Sequence, residues 1–188
     1  MGLFNLFRSR RHERNGFLLY GAAVGAAREP WLYDRLAVPD TLDGRFDTVG
    51  LLVILLIQRL RNDPDPAGAP LAQAVFDAMF ADMDLNLREM GVGDLSVGKK
   101  VKEMWNAFHG RARAYEAAVE AGDADAMAQA VLRNIWRREP EAEPDAAAAA
   151  LARYAMVVAA ALASQPMAAL VQGQAHFPLA SEVLADAA

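Results

Sequence analysis

Between residues 93 and 100 the chain reads GDLSVGKK. Gly93, Gly98 and Lys99 fall where a phosphate-binding loop needs Gly, four free positions, Gly and Lys. Lys100 then takes the place of the Ser or Thr that would hold magnesium. Such a loop works because it follows a buried strand and opens a helix, so that backbone N–H groups cradle phosphate. Here a long amphipathic helical pattern precedes it, and no β-branched run ending in Asp offers a second metal ligand. The Gly93–Lys100 loop therefore reads better as a glycine corner between two helices than as the site of a nucleotide-binding protein. Lys99, Lys100 and Lys102 would then crowd the first turn of the second helix, where the helix dipole disfavours cations. That local cost points to an acidic partner, either within the fold at Asp82, Asp84 or Glu89, or outside it.

Other constellations are weaker. His12, His109 and His176 lack ligand spacing, so no metal site is expected, and His109 reads as a helix-flank residue. The chain has no Cys, which excludes disulfides, thiolate zinc sites and cysteine nucleophiles. Ser164 and Ser181 sit in no nucleophile elbow, and Asp82 and Asp84 do not share a helical face. The residues favour a binding or structural protein over an enzyme, with no cofactor.

The elements that carry these residues are helical throughout. Alanine is abundant and β-branched residues are sparse, and no stretch alternates like a strand. The chain of 188 residues suits one compact domain of six or seven helices, residues 15–188, preceded by an arm, residues 1–14. A first helix is expected over about 16–28, ended by Pro30. Residues 31–47 are rich in Pro, Asp and Gly and read as loop pinned by Trp31, Leu32, Tyr33 and Leu36. Asp47 or Thr48 is expected to cap a buried central helix from about Val49 to Arg61, apolar on nearly every side. Leu71–Met90 has the cleanest helical periodicity. The next helix, from Ser96 or Val97 to about Ala121, should point Val101, Met104, Trp105, Phe108 and Tyr115 inward. Helices over about 124–138 and 146–164 follow, separated by the acidic EPEAEPD. The last of these is apolar enough to invite a membrane reading, but Arg153 in its middle favours a buried helix.

The formal charge of -5 is uneven: residues 1–61 carry nine Arg against six acids, whereas the rest of the chain is acidic. Direct recognition of nucleic acid is not expected from such a balance. The arm, MGLFNLFRSRRHER, has two readings. One is an interfacial anchor, with Leu3, Phe4 and Phe7 among lipid headgroups and Arg8, Arg10 and Arg11 on the phosphates of an anionic membrane surface. The other is a terminus that packs back on the fold.

Several longer blocks have no generic chemical meaning but resemble one family. LYDRLAVPDTLDGRFD, the QRLR that closes the central helix, FADMDLNLREMGVGDLSVGKKVKEM, FHGRARAY and LRNIW together are similar to the ubiquinol–cytochrome c chaperone family, over about residues 15–138. Leu52 stands where that family often has His. The resemblance implies a non-enzymatic, all-helical chaperone that binds newly made cytochrome b and promotes assembly of the ubiquinol–cytochrome c oxidoreductase complex. It implies action in the cytoplasm or at the cytoplasmic face of the inner membrane. A small partner protein and the ribosome are further partners of the family's mitochondrial members. Asp40, Gly44, Arg45, Asp82, Asp84 and Arg88 match family blocks and, with the three lysines, are the candidate partner-binding residues. The alternative for Asp40, Arg45, Asp82, Asp84 and Arg88 is a structural role, fixing the loop through internal salt bridges, and the residues favour it slightly. Met79, Met83, Met90 and Met104 gather near the glycine corner, where flexible apolar side chains suit either a core or an adaptable groove. A helical adaptor for another membrane-protein client is the alternative reading.

Overall fold

A computed structural model describes residues 3–139 and 142–185, with the backbone alone for residues 3–10 and 95. Among the described residues the fold is all-α. Six helices of twelve residues or more carry it: α1 (Leu3–Ala27), α3 (Leu42–Arg61), α4 (Gly68–Glu89), α5 (Asp94–Ala121), α6 (Ala124–Ile135) and α7 (Ala146–Ser164). Three short ones complete it: α2 (Pro30–Asp34), α8 (Met167–Leu170) and α9 (Ala180–Val183).

The apolar run in α3 explains the architecture. Every residue from Leu51 to Leu56 is buried, so this helix must be covered on all sides. It touches α1, α4, α5, α6 and α7. Its C-terminus is tied to the end of α7: the Arg59 guanidinium donates to the Leu162 and Gln165 carbonyls, each at 3.0 Å. The helix α7 is long and apolar enough to cross a membrane, yet here it packs against α3 and α6. Leu151, Tyr154, Val158 and Leu162 face inward and Arg153 stays exposed. The C-terminal segment packs through α9 on α2 and α7 and is tied further by side-chain hydrogen bonds. The Glu29 carboxylate accepts from the Ala180 and Ser181 N–H groups at 2.6 and 3.0 Å, and the Tyr154 hydroxyl donates to the Pro178 carbonyl at 3.1 Å.

The helix α4 starts at Gly68 rather than Leu71 and α6 ends at Ile135 rather than near residue 138, and three further boundaries differ from the sequence reading for a local reason. First, α1 starts at Leu3 rather than near Gly16, so the arm continues the first helix. Second, residues 31–47 are mostly helical. The cap of α3 is Thr41, whose hydroxyl oxygen accepts the Gly44 N–H at 3.1 Å, and not Asp47 or Thr48. Gly44 permits this early start because a Cβ there would run into the Pro39 carbonyl. Asp47 and Thr48 are thereby carried into the helix interior; the Thr48 hydroxyl donates to the Gly44 carbonyl at 2.8 Å. Third, α5 opens at Asp94, so Lys99, Lys100 and Lys102 lie beyond its first turn and escape the unfavourable dipole. Trp105 is 44% exposed instead of inward, its ring stacked on His109 at 3.9 Å between centroids.

The helices α4 and α5 form a hairpin closed at Gly91, which has φ of 79°. Its body is pinned by Phe76, Phe80 and Phe108, with ring centroids 4.5 to 6.1 Å apart. Near the tip, Leu87 and Val97 are buried but stand outside the main hydrophobic cluster.

Candidate functional site

A groove of about 740 Å³ opens between the second half of α1, the first turns of α3, the end of α4, the middle of α5 and the end of α6. Its floor is apolar because α4 and α5 turn their periodic faces toward α3. Met79, Met83 and Leu87 are buried there, Met104 is half-buried, and Leu42 and Met90 remain 54% and 53% exposed on the lips. All four methionines singled out in the sequence line this groove, and two of them also belong to the buried core. Unbranched, polarizable side chains at such a boundary adapt to differently shaped apolar partners.

Charge surrounds the floor. Asp47, 1% exposed on its side chain, sits at the base of the groove, 2.6 Å from an Arg111 guanidinium nitrogen and 3.3 Å from one of Arg137. Burial pushes its carboxyl above the usual carboxylate range, and the two arginines pull it back. Arg137 also reaches Asp43 at 3.1 Å. This residue has φ of 55°, a conformation costly for a residue with a Cβ, and the neighbouring Trp136 indole donates to the Ala37 carbonyl at 3.1 Å. Ala37 itself has φ of 50°. The end of α6 is thus strapped to the loop before α3, and the strap forms one wall of the groove. On the α1 side the Tyr20 hydroxyl donates to Asp82 at 2.7 Å; burial, then this bond, raises its pKa well beyond the ordinary tyrosine value.

The candidate partner-binding residues separate in space. Arg45, Asp82 and Lys100 line the groove. Asp40 pairs with Arg45 at 2.5 Å on the exposed rim, which lowers the Asp40 pKa. Gly44 is buried in the first turn of α3 and serves the backbone there. Arg88 bridges Asp84 and Asp94, both at 2.6 Å, and so staples the two ends of the glycine corner outside the groove. Lys99 and Lys102 are exposed, and Lys99 lies 4.0 Å from Glu103 on its own helix. Asp82, Asp84 and Glu89 form no ion pair with the three lysines among the described residues. The membrane-contact candidates Leu3, Phe4, Phe7, Arg8 and Arg10 have side chains outside the described ones, and Arg11 is exposed. Sequence reasoning missed Arg28, Asp43, Asp47, Arg111, Arg133 and Arg137. One signal was available: a lone Asp entering the most apolar helix must find a cation. Among the described residues no group of three His, Cys, Asp or Glu is arranged to hold a metal.

A family model described as ubiquinol-cytochrome C chaperone matches residues 34–177. The chain belongs to the ubiquinol–cytochrome c chaperone family. Membership takes in every element that builds the groove except α1. The fold agrees with a solved relative, the crystal structure of the Cbp3 homolog from Brucella abortus. That structure is 34% identical and superposes with a TM-score of 0.81, covering 96% of this chain and 99% of its own. No curated protein matches the chain. Family and fold together indicate a chaperone and argue against an enzyme.

Proposed function

We propose that this chain is a non-enzymatic assembly chaperone that binds newly made cytochrome b and hands it to the ubiquinol–cytochrome c oxidoreductase complex. The observation that carries the reading is the methionine-floored groove, with its charged rim, in a chain of this family. A client rich in membrane helices exposes apolar segments before assembly, and such segments need a cover that tolerates varied shapes. The work is peripheral to the cytoplasmic face of the inner membrane. There the arm, with its apolar front and arginines, would add contact with anionic lipid.

Deletion of the gene, followed by reduced-minus-oxidised spectra of the membranes, tests the reading. Cytochrome b and the activity of the complex are expected to fall together. Unchanged levels of both would sink the proposal. Crosslinks from the full chain to a different membrane protein as its main partner would favour the adaptor reading instead.

A further inference from the structure

The groove is cationic on an acidic protein. Six basic side chains line it, against Asp43, Asp47, Asp82 and Glu103, whereas the whole chain carries -5. Three of the acids stand beside bases, Asp43 and Asp47 with the arginines and Glu103 near Lys99, while Asp82 accepts from the Tyr20 hydroxyl and keeps its charge. Among the bases, Arg45 is held by Asp40, Arg111 by Asp47, and Arg137 by both Asp43 and Asp47. Arg28, Lys100 and Arg133 make no ion pair among the described residues. They are exposed and come from three separate places, the residue just after α1 and the helices α5 and α6, that converge on one recess. Unpaired cations facing an apolar floor are complementary to a segment that is apolar on one side and acidic at its flanks.

We propose that the groove docks a helical client segment with one apolar face and flanking Asp or Glu residues, whose carboxylates pair with Arg28, Lys100 and Arg133. The assignment rests on the chaperone reading above and adds which chemistry of client the site selects. A recess of about 740 Å³ takes the side chains along one segment, and its unpaired cations share its lining with the buried Met79, Met83 and Leu87. A segment that enters fits this geometry better than a bilayer surface that lies across it.

Three fluorescently labelled helical peptides test the proposal. They share one face of Leu, Met and Ala and differ only in carrying Glu, Gln or Lys at the same flanking positions. Binding to the full chain is read by anisotropy. The Glu peptide is expected to bind about tenfold more tightly than the Gln peptide, the gain that three partly exposed ion pairs supply together, and the Lys peptide most weakly. The variant R28E/K100E/R133E changes only exposed side chains, so its circular dichroism should match the parent, and it should reverse the order of the peptides. Equal binding of all three peptides, or an order that the variant leaves intact, overturns the proposal. So does a groove that binds no peptide but takes up phosphatidylglycerol vesicles, or one occluded by a second copy of the chain. The two readings fail separately. Peptide selectivity with cytochrome b untouched by gene deletion keeps the groove chemistry and changes the client. Loss of cytochrome b on deletion without peptide selectivity keeps the function and discards the groove assignment.

Discussion

The same substitution at three positions of α1 should change stability in opposite directions. A Cβ built at Gly16 would stand 2.6 Å from the Ala74 Cβ and 2.7 Å from the Ala74 carbonyl carbon, on the facing surface of α4. Non-bonded carbons rest about 3.5–4.0 Å apart, so relief requires the two helices to part by about 1 Å. Overpacking of this kind costs about 1–3 kcal/mol. Because a contact with backbone cannot be relieved by a rotamer change, the upper half of that range applies. Alanine regains about 1 kcal/mol of helix propensity over glycine. Gly16→Ala should therefore destabilise by about 1–2 kcal/mol. At Gly21 and Gly25, on the outer face of the same helix, a Cβ would meet nothing within 4 Å. There the propensity gain stands alone, and each alanine should stabilise by about 1 kcal/mol. Urea unfolding followed by circular dichroism reads all three. With a slope of about 2 kcal/mol per molar, the midpoint should fall by about 0.5–1 M for Gly16→Ala and rise by about 0.5 M for each of the others. A midpoint that rises for Gly16→Ala would refute the close approach of α1 and α4.

Two further predictions concern the periphery and the buried phenols. Glu29→Ala removes the carboxylate that accepts the Ala180 and Ser181 N–H groups. Hydrogen bonds to a charged acceptor contribute about 1.5–3 kcal/mol, so hydrogen exchange at those two amides should accelerate strongly while α3 stays protected. Equal protection in both proteins would show that the C-terminal segment is held by something else. Burial raises the pKa of Tyr20, Tyr33, Tyr115 and Tyr154 above the ordinary tyrosine value. The folded state then keeps phenol protons that the unfolded chain releases above about pH 10, so stability is intact below that pH and declines as pH rises through it. Ultraviolet absorbance at alkaline pH should show phenolate forming only together with the loss of helix; phenolate that forms first, in folded protein, contradicts the burial.

Helices were legible in the sequence wherever one side of a periodic pattern was apolar. The predicted ends of the alanine-rich helix coincide with α7 (Ala146–Ser164), because Asp145 caps it with a bond to the Ala148 N–H and Pro166 follows closely. The helix boundary before Leu51 was misplaced because Asp47 looks like a cap and is a buried partner of Arg111 and Arg137, residues 64 and 90 positions downstream. No local pattern encodes an ion pair of that span. The groove was half visible. Its methionines follow from helical spacing, but Arg28, Lys100 and Arg133 come to line one recess only once α1, α5 and α6 have docked on α3. Trp105 shows the opposite failure: its spacing is that of an inward residue, and stacking on His109 at the surface replaces burial in the core.

The two walls of the groove differ in what it would cost to move them. The α3 wall belongs to the central cluster, and displacing it means exposing Leu51 to Leu56. The tip of the α4–α5 hairpin, with Leu87 and Val97, packs apart from that cluster, and the hairpin is joined to the body at Phe76, Phe80 and Phe108, at Met83 and through the Tyr20–Asp82 bond. Local opening free energies follow the apolar contacts that must be broken, and they range from near zero up to the global value. About fourteen helical residues separate Asp94 from Phe108, a span of about 21 Å at the helical rise, so a tilt of about 5° there displaces the tip by about 2 Å. Widening the mouth of the groove would thus move Met83, Met104 and the Tyr20–Asp82 bond, while Leu51 to Leu56 stay covered.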